Sequence, residues 1–111
     1  MIIVLGSRPA TGLRAGPASR TPQQKELFQL VIQGLDLVRQ RLRSAPDFWV
    51  DVSVQRQLEY LHETLSFGQS PTPEKVDSLT LSIYAAKEIE TVDPEFADLL
   101  FKVNYLADRI S

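Results

Sequence analysis

At 111 residues and 12.5 kDa the chain is the size of one small domain, which excludes a two-domain enzyme. Its 43% hydrophobic and 23% charged residues exclude wholesale disorder. The absence of cysteine excludes a disulfide framework, a thiolate zinc site, an iron–sulfur cluster and a cysteine nucleophile, and suits a cytoplasmic location.

The formal charge of −2 is unevenly placed. Arg8, Arg14 and Arg20 give the first twenty residues +3, so residues 21–111 carry nine basic against fourteen acidic side chains, a formal −5. A nucleic-acid partner is disfavoured, because phosphate neutralisation needs a clustered basic face. The same surplus suits a partner with a basic contact surface, although it also simply keeps a small domain soluble.

Residues 1–20 contain Gly6, Gly12, Gly16, Pro9 and Pro17, which interrupt any periodic pattern. They are expected to form a flexible leader. Residues 2–5 (IIVL) either pin onto the domain or belong to an extended start. This apolar run is too short for a signal-peptide core or a membrane span.

The domain, residues 21–111, opens at Thr21-Pro22, a capping hydroxyl followed by proline at the first helical position. Phe28, Val31, Leu35, Val38 and Leu42 recur at spacings of three and four and predict one apolar helix face, widened by Leu27, Leu30, Ile32 and Leu37. Arg39, Arg41 and Arg43 fall in the last turns, where cations meet the negative end of the helix, and are expected to be solvated. Pro46 ends the segment.

A second helix is expected to start between residues 47 and 53, with Val54, Leu58, Leu61 and Leu65 as its stripe and Gly68 as a left-handed cap. Trp49, at its entrance, is expected to plug the end of the bundle. Thr72-Pro73 opens a third helix whose apolar residues fall on two nearly opposite faces, Val76, Leu79, Ile83 and Ala86 against Leu81, Ala85 and Ile89. Such a helix is either central or partly covered by another protein. Asp93-Pro94-Glu95 caps a fourth helix striped by Phe96, Leu99, Leu100, Val103, Leu106, Ala107 and Ile110. Four helices with short loops and no alternating strand predict an all-α, small up-and-down bundle.

No catalytic or metal constellation emerges. His62-Glu63 is half of a His-Glu-x-x-His zinc motif, but Ser66 stands where the second histidine belongs. Glu59 and Glu63, one turn apart, have the spacing of a solvated face, and neither a phosphate-binding glycine loop nor a nucleophile elbow occurs. The expectation is a protein that is not an enzyme, with no cofactor and no metal.

Four short motifs stand in order: Gln57-Leu58-Glu59-Tyr60, Leu79-Thr80-Leu81, Ala85-Ala86-Lys87-Glu88 and Asp93-Pro94-Glu95. With them the chain, over roughly residues 24–110, resembles the immunity proteins that protect bacteria from type VI secretion toxins of the NAD(P) glycohydrolase class. The resemblance departs over the leader and the loop of residues 66–73. It implies a small helical protein that binds its cognate toxin domain, one to one, and blocks the NAD site without activity of its own. It also directs attention to the acids Glu88, Glu90, Asp93 and Glu95 as toxin contacts, with Glu59, Tyr60 and Glu63 next in line. Asp93 also serves as a helix cap, and for Glu88, Glu90 and Glu95 contact and plain solvation both stay open. The alternative is a homo-oligomeric helical scaffold or adaptor, self-associating through the two-faced helix.

Overall fold

The computed structural model describes residues 21–111; the expected leader, residues 1–20, lies outside them. The described residues form helices joined by short loops and contain no strand. Helix α1 runs Pro22–Ser44, α2 Trp49–Ser66, α3 Pro73–Asp77, α4 Leu81–Tyr84 with a π turn Ala85–Ile89 continuing it, and α5 Pro94–Ile110. None of them is long and apolar enough to cross a membrane.

The ends of the helices are set by local chemistry. The Thr21 side chain accepts the Gln24 N–H at 3.1 Å while Gln24 Oε1 accepts the Thr21 N–H at 3.0 Å, a reciprocal box that satisfies two donors at the start of α1. Asp93 caps α5 by accepting the Phe96 N–H. At the end of α2, Gly68 takes a φ of 75°. Its N–H reaches Leu65 O and the Gln69 N–H reaches Thr64 O, a pair of bonds that closes the helix and needs a left-handed residue between.

The core is built from the expected stripes: Leu27, Val31, Leu35 and Val38 of α1, Val54, Leu58, Leu61 and Leu65 of α2, and Phe96, Leu100, Val103 and Ala107 of α5. Helix α1 packs against both α2 and α5. Gly34 lets it do so, since a Cβ there would stand 3.0 Å from Leu58 Cδ1 and 3.1 Å from Leu99 Cδ2.

The third helical segment departs from expectation. In place of one continuous two-faced helix there are two pieces, because the chain breaks between Ser78 and Thr80. The Ser78 hydroxyl donates back to Lys75 O at 2.7 Å, and Thr80 turns out of the helix at φ −118°, ψ 17°. Val76 and Ile83 therefore do not share a helix. Beyond the break, Leu81, Ala85 and Ile89 are all fully buried. Spaced four apart, they would drift around an α-helix of 3.6 residues per turn. The wider π turn, closed by the Glu90 N–H on Ala85 O at 2.8 Å, absorbs that drift and keeps all three inward. The Ile83 and Ala86 side is left exposed.

Candidate functional site

The end of α1 and the starts of α2 and α5 meet at one charged cluster. Asp51, in the first turn of α2, is only 2% exposed, and such a carboxylate needs a partner. Arg41 supplies it: its Nε donates to both Asp51 oxygens, at 3.1 and 3.2 Å, and its Nη1 donates to Asp93 Oδ2 at 3.3 Å. The guanidinium also lies 5.3 Å from the centre of the Phe96 ring, a cation–π approach. The expectation of solvated arginines is thus corrected for Arg41, which is 23% exposed and ties three helices together. Arg39 and Arg43 are exposed or nearly so.

That cluster fixes the segment carrying the first group of candidate residues. Both Asp93 oxygens are engaged, one by the Phe96 N–H and the other by Arg41, so it joins the start of α5 to the end of α1. Glu88 projects from the π turn, Glu90 follows it and Glu95 stands in the first turn of α5; all three are exposed. No ion pair holds any of them among the described residues. Glu88 and Glu90 are two positions apart and point away from each other. All three lie on the stretch that runs from the π turn into the first turn of α5.

The second group is divided. Glu59 lines a shallow cleft of about 210 Å³ between α1 and α2, with Ile32, Leu35, Arg39 and His62. Tyr60 lies on a different cleft of about 190 Å³, beside Arg56, Gln57, Lys75, Ser78 and Leu79, where Lys75 Nζ stands 5.6 Å from its ring. Glu63 is exposed. His62 rests against Phe28 with ring centroids 5.2 Å apart. Among the described residues no cluster of three His, Cys, Asp or Glu side chains is placed to hold a metal ion.

Trp49 does not plug the bundle. It is 58% exposed, and its indole meets the Tyr84 ring edge to face, with centroids 5.4 Å apart and planes at 89°. Val50, its neighbour, is fully buried, and adjacent positions on a helix cannot face the same way. That signal was present in the sequence, but only the packing shows which of Phe48, Trp49 and Val50 enters the core. Ile83, 50% exposed, and Val92, 72% exposed, flank the same acidic segment.

A family model described as Tsi6 matches residues 26–109. Among solved structures the chain is similar to Tsi6 from Pseudomonas aeruginosa, with 30% identity and a TM-score of 0.66, covering 73% of this chain and 83% of that one. Comparison with the curated proteins gives no match.

Proposed function

This chain belongs to the Tsi6 family, and on that premise we propose that it is a type VI secretion immunity protein: it binds a cognate toxin domain one to one and covers that domain's NAD(P) site. The observation that carries this is the family match across nearly the whole described domain. The chain's own chemistry is consistent with it. An inhibitor of a lethal enzyme needs very tight binding, helped by fast electrostatic association. A formal −5 over residues 21–111 favours encounter with a pocket built to hold the phosphates of a dinucleotide, which tends to be electropositive. Exposed acids such as Glu88, Glu90 and Glu95 then stand where those phosphates would. The protein acts in the cytoplasm, where its NAD-consuming target would do its damage, and does not turn over NAD itself.

The test is co-expression with type VI secretion toxin domains of the NAD(P) glycohydrolase class. Cells making both should grow, cells making the toxin alone should not, and calorimetry should give one toxin per immunity protein. NAD loss catalysed by the purified protein would refute the proposal. A one-to-one complex that still hydrolyses NAD would retain binding and reject occlusion.

A further inference from the structure

We propose that Trp49 and Tyr84, with the exposed acids that follow Tyr84, are the anchor of the partner-binding surface, and that this surface takes a protein domain whose contact face is basic. Tryptophan is highly buried on average, yet Trp49 is 58% exposed beside its half-buried partner Tyr84. The edge-to-face contact already orients the indole, so little side-chain freedom remains to be lost on binding. Tryptophan and tyrosine are also the residue types that dominate the binding energy of protein interfaces.

The surroundings have the anatomy of an interface. Ile83 and Val92 add exposed apolar surface along the broken third helix and the turn after it. Glu88 follows Tyr84 by four residues and so stands one turn along on the same side. Glu90 and Glu95 are exposed further on, and Lys87 is the single cation between residues 81 and 95. Apolar anchors within a charged rim are what specific interfaces show. The buried Leu81, Ala85 and Ile89 hold the segment to the core, so the surface is presented on a fixed element.

The charge decides the occupant. A second copy of the chain docked about a two-fold axis would set this acidic rim against itself, whereas a basic partner pairs with it and is steered toward it. The anchor presupposes the immunity role proposed above and adds to it the place of contact.

Trp49 is the only tryptophan in the chain, so 5-fluorotryptophan gives the protein a single fluorine resonance that reports on this site. The probe is an unlabelled, catalytically inactive form of the toxin domain that this protein neutralises in the co-expression test. The resonance should shift, saturate at one equivalent and lose its solvent isotope shift. Trp49→Ala should weaken binding at least about 30-fold and Val92→Asp by about tenfold, both with unchanged helicity. Asp108→Ala, at an exposed position of α5, should leave affinity unaltered. Calorimetric binding that leaves the fluorine signal unmoved overturns the anchor while the immunity role stands. A signal that moves with the protein's own concentration, without toxin, assigns the face to a second copy and overturns it as well. No heat and no shift with the toxin removes both the immunity role and the anchor.

Discussion

Gln57 closes the gap in the third helix by holding Thr80 twice: its Oε1 accepts the Thr80 N–H at 2.8 Å, and its Nε2 donates to Thr80 Oγ1 at the same distance. A helix that starts at Leu81 leaves N–H groups without intrahelical partners. Thr80 itself makes no side-chain cap. The missing acceptors come from other helices, Gln57 of α2 for Thr80 and Asn104 Oδ1 of α5 for Ser82, at 3.2 Å.

Gln57→Leu should therefore destabilise the fold by about 1–3 kcal/mol, the cost of leaving a partly buried donor unsatisfied. Amide exchange should speed up first at Thr80 and through the π turn, ahead of α1 and α5. Uniform acceleration across all helices would mean that the Gln57 contact is not what holds the break.

Arg41→Ala should cost about 2–4 kcal/mol, because it strands the Asp51 carboxylate at 2% exposure; the partly wet guanidinium keeps the figure below that of a fully buried pair. Arg41→Lys should rescue little, since a single ammonium cannot bond two carboxylates and stack on Phe96 together. Replacing the pair as Arg41→Met with Asp51→Leu should recover most of the loss in urea unfolding.

Leu61→Ala should cost about 2–4 kcal/mol, from lost burial and the cavity left behind. Leu61, in the stripe of α2, is fully buried in the core. A thermal midpoint unchanged by this substitution would contradict the packing of α2.

Reversing Glu88 and Glu90 together to lysine should barely affect folding, as both are exposed and surface substitutions are usually within about 0.5 kcal/mol. Toxin binding should weaken by several kcal/mol, on the order of what is lost with charge-assisted contacts. Much of the loss should appear as slower association that added salt partly masks. Reversal of Asp36 and Asp108 is the control for net charge, and equal weakening by that pair would move the contact to another face, the one around Glu59, Tyr60 and Glu63.

What the sequence by itself determined is what depends on neighbours along the chain. Thr21, Thr72 and Asp93 cap helices because each sits three residues before the N–H it accepts, and Pro22, Pro73 and Pro94 follow at positions where no N–H is missed. The centres of the α1, α2 and α5 stripes bury as spaced, with Phe28, Leu42 and Ile110 half-buried at their margins and Ile32 exposed, and Gly68 adopts the left-handed turn its place demands. The exposure of Glu88, Glu90 and Glu95 was equally legible, since carboxylates stay hydrated unless a partner is supplied, as Arg41 does for Asp51 and Asp93.

Tertiary structure decided everything that rests on partners distant in sequence. Arg41 reaches Asp51 ten positions away and Asp93 fifty-two away; it continues the buried register of Leu27, Val31, Gly34 and Val38, which Arg39 and Arg43 do not, but nothing local names the carboxylates it meets. The break at Ser78 to Thr80 is stabilised by acceptors on α2 and α5, so the two-faced apolar pattern of residues 76–89 could not show where the helix would divide. The outward placement of Trp49 follows from burial of its neighbour Val50. With Leu81, Ala85 and Ile89 drawn into the core, the neighbouring Tyr84 remains half-exposed at the boundary, where it meets the indole of another helix.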